Sequence, residues 1–216
     1  MTVTLHARAV LLDMDGTLVD STAVVERLWL EWARPHGLEP AEVLRTVHGR
    51  QGHQSMALLL PDRDHAVNLI ENQEMLQRES ADVAGVVEVP GAATLLRALE
   101  PFPHAIVTSA DVRLMTARMA AAGLPLPALA VTAESVSQSK PDPEGFLRGA
   151  AELGVAPGDC VVFEDSAAGV RAGLDAGMTV VGVGPHAPSF SPTHHVDDLT
   201  SVRITAVDDG FEITLG

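Results

Sequence analysis

Cysteine is nearly missing from this sequence. Cys160 stands alone, so no disulfide can close within the chain, and its place just before an apolar run marks it as a buried structural thiol rather than a nucleophile. That usage fits a reducing compartment. Positive charge is also scarce: 14 lysines and arginines face 29 aspartates and glutamates, a formal net charge of −15. Such a field argues against electrostatic binding to nucleic acid or to an anionic membrane. No apolar stretch approaches the length that spans a bilayer, and no basic amino-terminal region precedes a long one. The expectation is a soluble, cytoplasmic protein without internal repeats or low-complexity segments. What the chain does have is apolar side chain, 46% of 216 residues, enough for one good core and a small second lobe.

The chain is organised around Ala9-Val-Leu-Leu-Asp13-Met-Asp15-Gly16-Thr17-Leu18-Val-Asp20-Ser21. Its apolar start predicts a buried strand; the two aspartates at i and i+2 project to one side, and the glycine lets the chain turn. In open α/β sheets ligands bind beyond the carboxyl ends of strands, so a strand that stops on acids resembles half of a site. A solvated Asp/Gly turn is the plain alternative. After Ser21 the apolar spacing of Val24, Val25, Leu28 and Trp32 is helical and ends near Gly37, with further helices expected over 41–47, 54–60 and 64–83. No strand is expected over 19–88, which predicts a separate helical lobe joined by linkers beside Asp20 and at 86–90. From Pro90 strand and helix alternate: helices over 92–100, 112–122, 143–153 and 167–176, strands over 104–108, 128–132, 160–164 and 178–183. This is the pattern of a parallel sheet covered on both faces. Segments 202–207 and 211–215, around Asp208-Asp209-Gly210, predict an antiparallel hairpin.

Three more segments end on polar residues. Thr108 and Ser109 close a strand with hydroxyls that can donate to a phosphate oxygen. Lys140 lies in Ser-Gln-Ser-Lys-Pro-Asp-Pro, where prolines restrict the loop, and Glu164-Asp165-Ser166 adds a second acidic pair before a helix start. Together they predict a hard-cation site beside an anion site. Asp13, the carbonyl of Asp15 and Asp165 can ligate Mg²⁺, with Glu164 acting through water, while Thr108, Ser109 and Lys140 take phosphate oxygens. With the repulsion of a phosphoryl dianion offset, Asp13 can attack phosphorus and Asp15 can protonate the leaving alcohol, then deprotonate water.

Asp13-Met-Asp15-Gly16-Thr17-Leu18-Val-Asp20-Ser21, Val107-Thr108-Ser109, Lys140-Pro-Asp-Pro and Glu164-Asp165-Ser166 resemble, in order, the four motifs of the haloacid dehalogenase superfamily. Asp15 after Asp13 is similar to its phosphatase and phosphomutase branch. The resemblance implies a Rossmann-like α/β core over 1–18 and 89–216, a helical cap over 19–88, Mg²⁺ dependence and a small phosphorylated substrate. Stretches 131–136, 140–145 and 164–169 are similar to sugar and polyol phosphatases, of the glycerol-phosphate and deoxyhexose-phosphate kinds. Beta-phosphoglucomutases share these motifs, but their cap arginine stands three residues after the glycine equivalent to Gly49; here Gly52 occupies that place and the arginine is Arg50. In the loop with His48, Gln51 and Gln54, Arg50 and His53 are candidates for reading substrate hydroxyls; a solvated loop is the alternative. Trp29 and Trp32 are expected to pack the first cap helix, and His194-His195 to lie on the surface. A receiver-type signalling module and a non-catalytic phospho-ligand binder remain as other classes. No nucleic-acid or membrane partner is expected, and the chain is expected to be a monomer or weak homodimer.

Overall fold

Four consecutive residues with no solvent exposure, Ala9 to Leu12, make a strand that must lie inside a sheet with both faces covered. The computed structural model, which describes residues 2–216, places it so. In chain order β1 (Val3–Ala7), β2 (Ala9–Leu12) and the two-residue β3 (Val19–Asp20) lead into α1 (Thr22–Ala33), α2 (Pro40–Thr46), α3 (Gly52–Leu59) and α4 (His65–Ala81). The chain returns through β4 (Val87–Glu88) to α5 (Ala92–Leu99), β5 (His104–Val107), α6 (Val112–Ala121), β6 (Ala130–Val131) and α7 (Glu144–Leu153). It continues with β7 (Cys160–Glu164), α8 (Ala167–Asp175), β8 (Thr179–Val183), β9 (His194–Val196), β10 (Arg203–Val207) and β11 (Gly210–Leu215). None of the described helices is long and apolar enough to cross a membrane.

Six strands form a parallel sheet in the order β6-β5-β2-β7-β8-β9. The twofold period of a strand divides the core. Val10, Leu12, Ile106, Val161 and Phe163 belong to one apolar cluster with α5 and α6, through Leu95, Leu99, Leu114 and Met119. Ala9, Leu11, Ala105, Val107 and Val162 belong to the other, with Phe146 and Ala150 of α7 and Val170 and Ala172 of α8. Two of the helices that start beside the sheet's carboxyl edge, α6 and α8, are capped by side chains: Asp111 accepts from the Leu114 N–H (2.7 Å) and Ser166 from the Gly169 N–H (3.1 Å).

The α/β fold and the terminal hairpin follow the sequence pattern, and β1, β3, β4, β6 and β9 depart from it. The span 19–88 is helical apart from its ends, where β3 and β4 pair with each other, Val19 opposite Glu88 and Asp20 opposite Val87. β1 pairs with β11, at the far end of the chain, so no local turn announces it. His194 and His195 are in β9, the parallel edge strand beside β8, which the sequence pattern did not announce, with His195 on the surface as expected. β6 shortens to two residues.

Candidate active site

The side chains converge at the carboxyl ends of β5, β2 and β7, three neighbours in the sheet. Asp13 follows β2, and its N–H donates to the Phe163 carbonyl of β7 (3.0 Å), so the backbone direction at Asp13 is fixed by the sheet itself. Thr108 follows β5 and is pinned likewise to Val131 (2.9 Å). Glu164 is the last residue of β7, with Asp165 next.

Lys140 reaches into this edge from the loop before α7. Its ammonium donates to Asp13 Oδ1 (2.5 Å), Glu164 Oε1 (2.8 Å) and the Val107 carbonyl (3.0 Å), which uses all three protons. It is the only lysine in the sequence, a signal that composition carries openly. Glu164 is saturated on its other oxygen by the Ser166 N–H (2.6 Å) and hydroxyl (2.9 Å). Asp13, Glu164 and Asp165 offer carboxylate oxygens within 4.8 Å of one another. Three carboxylates against one ammonium leave negative charge unbalanced. Burial, with Glu164 nearby and only partly offset by Lys140, pushes Asp13 up to about 7. Burial and then Glu164 and Asp13 raise Asp165 well above the carboxylate range. Burial would lower Lys140, but Asp13 and Glu164 outweigh it and hold the ammonium protonated. Hard oxygen donors around uncompensated charge fit a divalent cation. The Asp165 carboxylate lies against Gly16, where φ is +83° and a Cβ would fall 1.9 Å from Oδ2.

Asp15 stands apart from that cluster. Its Oδ1 accepts from the Ser21 hydroxyl (2.6 Å) and its Oδ2 from Arg118 Nη1 (2.7 Å), while Arg118 Nη2 reaches Glu79 of α4 (3.0 Å). Neither Arg118 nor Glu79 was among the sequence candidates. The available signal was their register: Arg118 shares the buried stripe of α6 with Leu114, Met115 and Met119, and Glu79 follows Met75 by one helical turn.

The helical insert covers the site. Ser109 donates to the Gly49 carbonyl (3.2 Å), Gln51 to that of Ala133 (3.4 Å) and Ser139 to Gln54 Oε1 (2.5 Å). A cleft remains, lined from below by Asp13, Asp15, Thr108 and Asp165 and from above by Trp29, His48, Arg50, Asn72 and Leu76. Burial lowers the His48 imidazole, which favours its neutral form. Arg50 is thus among the residues that line the cleft. His53 is not: its ring packs edge-on against His65, 5.6 Å between centroids. Trp29 both lines the cleft and packs on Trp32 (5.3 Å). Cys160 is buried at the start of β7, and burial pushes its thiol up to about 11, so it is no nucleophile.

The family model of haloacid dehalogenase-like hydrolases matches residues 7–177. Over 197 residues the chain is 43% identical to Hexitol phosphatase A of Escherichia coli (strain K12), covering 90% of each chain. It is 31% identical over 206 residues to Validoxylamine A 7'-phosphate phosphatase of Streptomyces hygroscopicus subsp. limoneus, covering 93% of each. The crystal structure of beta-phosphoglucomutase from Clostridium difficile has a TM-score of 0.80 at 20% identity, covering 91% of this chain and 93% of that one, a likeness of fold.

Proposed function

Because the chain belongs to the haloacid dehalogenase-like hydrolases, we propose that it is a phosphomonoester hydrolase acting on a small sugar or polyol phosphate through an aspartyl-phosphate on Asp13. The observation that carries this reading is the buried Asp13–Lys140–Glu164 constellation with Asp165 beside it and Asp15 held two residues on. The 43% identity to Hexitol phosphatase A supports the substrate class.

Asp13, the Asp15 carbonyl and Asp165 would hold Mg²⁺, which when bound withdraws charge from the phosphoryl group. Glu164 orients Lys140 through Oε1 and stands beside Asp13 and Asp165, where it would reach the metal through a bound water. Lys140 keeps the Asp13 carboxylate aimed and offsets its charge; Thr108 and Ser109 offer hydroxyls to the phosphate, Ser109 by exchanging its bond to Gly49. An Asp13 oxygen bonds to phosphorus as the phosphorus–oxygen bond to the leaving group breaks, and Asp15 gives its proton to the departing alkoxide. Water then attacks phosphorus and gives its proton to Asp15. The bond to Asp13 breaks and the electron pair returns to the carboxylate, releasing phosphate.

The helices of 19–88 act as the cap, closing over the cleft to exclude water. A mutase-like reading is disfavoured at Gly52, where an added Cβ would fall 2.2 Å from Asn72 Oδ1 and 3.4 Å from the Trp29 ring. Asn72 would have to turn away before a side chain could stand there. The test is phosphate release from hexitol, glycerol and deoxyhexose phosphates, with Mg²⁺ and after chelation. Turnover of at least one class, its loss on chelation and its recovery with Mg²⁺ are expected, with none from Asp13→Asn. Full activity in that variant, or after exhaustive chelation, contradicts the mechanism.

A further inference from the structure

Asp15 has a neighbour that the reaction scheme leaves unused. Arg118 sits at a core-facing position of α6 with its side chain only 4% exposed, and its guanidinium spans two carboxylates, Asp15 Oδ2 at 2.7 Å and Glu79 Oε2 at 3.0 Å. Nε is buried without a partner among the described residues, so the two carboxylates alone set the plane of the group. α6 belongs to the sheet's lobe and α4 to the helical insert, and the two helices pack directly on each other. Ser21 holds the remaining Asp15 oxygen. The carboxylate is thus gripped at both ends, once by Ser21 at the start of α1 and once through a cation tied to α4.

A general acid works only when its proton faces the reacting oxygen, and a short side chain loses that direction with one rotation. We propose that Arg118 is the positioning residue of Asp15, and that Glu79 is the hold of the insert on it, so that Asp15 is aligned only while α4 is seated on α6. The inference rests on Asp15 being the acid/base. It separates two jobs of the insert: Arg50 meets the substrate, and Glu79 readies the chemistry.

The test compares Arg118→Met, Arg118→Lys and the double variant Arg118→Met with Glu79→Gln, which avoids leaving a buried carboxylate unpaired. On a hexitol phosphate, kcat should fall about 10–100-fold with KM little changed, and lysine should recover part of the loss. On p-nitrophenyl phosphate the aryl oxide departs without a proton. The first turnover should therefore stay fast and appear as a burst, followed by a slow steady state, because water must still lose a proton to Asp15. A merely structural lesion would shrink burst and steady state together, and that result overturns the proposal, as does a rise in KM at unchanged kcat or wild-type kinetics in the folded double variant. If the methionine variants do not fold, Arg118→Lys decides: reduced kcat at unchanged KM supports the assignment and wild-type kcat ends it. Asp15→Asn runs alongside. Full activity there removes the acid/base reading itself, whereas an inactive Asp15→Asn beside an unaffected Arg118 variant removes only this inference.

Discussion

Gly16 has no side chain because the Asp165 carboxylate occupies that space. With φ at +83° and a Cβ position 1.9 Å from Oδ2, Gly16→Ala strains the backbone and displaces a proposed metal ligand at once. The Mg²⁺ concentration for half-maximal activity should rise about 10–100-fold, of the size seen when ligand-supporting groups are lost; an unchanged Mg²⁺ titration would refute the Asp165 assignment. Glu79 carries a different cost. Burial outweighs Arg118 and lifts its carboxyl from 4.5 to about 7, so the folded protein binds this proton more tightly than the unfolded chain. The stability it contributes is complete below pH 4.5 and lost as pH rises through 7, and Asp13, also held at about 7, adds a slope of the same sign. In chelator, the melting temperature should decline over that window, and Glu79→Gln should flatten the decline without abolishing it. A variant whose profile overlays the wild type would place the proton elsewhere. Asp13, Asp15, Lys140, Glu164 and Asp165 are legible in the sequence because each stands at a strand end or in a proline-bounded loop, where its neighbours announce a turn. Arg118 and Glu79 are not, since a charge on a helix reads as solvated until its stripe is known to be buried.

Elements show the same division. β2, β5, β7 and β8 are apolar runs with short borders and read directly; β1 and β9 owe their existence to partners, β11 and β8, that no local pattern names. The loop between α2 and α3 and the start of α3 hold two sequence candidates that the structure separates. The polar composition there suggested contacts to substrate, but which residues turn inward depends on how α3 starts. Arg50 precedes that helix and faces the cleft, whereas His53 lies within it and packs edge-on against His65. Arg50→Ala should therefore lower kcat/KM for the preferred sugar or polyol phosphate about 10–100-fold, as for a lost hydrogen bond to a charged group, and far less for an aryl phosphate without hydroxyls. His53→Ala removes a ring contact inside the insert and should move the melting temperature rather than this ratio. Equal losses of Arg50→Ala on both substrates would assign the guanidinium to phosphate binding.

At the scale of the molecule, the two chain ends close one side of the sheet's lobe. β1, β11 and β10 form an antiparallel sheet whose inner face is Phe211, Ile213 and Leu215, with Phe211 4.6 Å from Phe102. Phe211→Ala should cost about 3–5 kcal/mol in chemical denaturation, the usual range for a large buried aromatic, while leaving the Mg²⁺ titration unchanged because the site is built on other strands. A loss below about 1 kcal/mol would mean that this sheet is an appendage rather than part of the core. The passage between lobes is built differently again. Val19 and Asp20 pair with Glu88 and Val87, and the Val89 N–H donates to the Leu18 carbonyl at 2.9 Å, so the outgoing and returning segments are stitched together. Two loose strings would let a lid slide, twist and tilt independently. A stitched ribbon flexes across its width and resists the other two motions, so opening of the proposed cap would reduce to one angle, and a single pair of spectroscopic labels, on α3 and α8, would follow all of it.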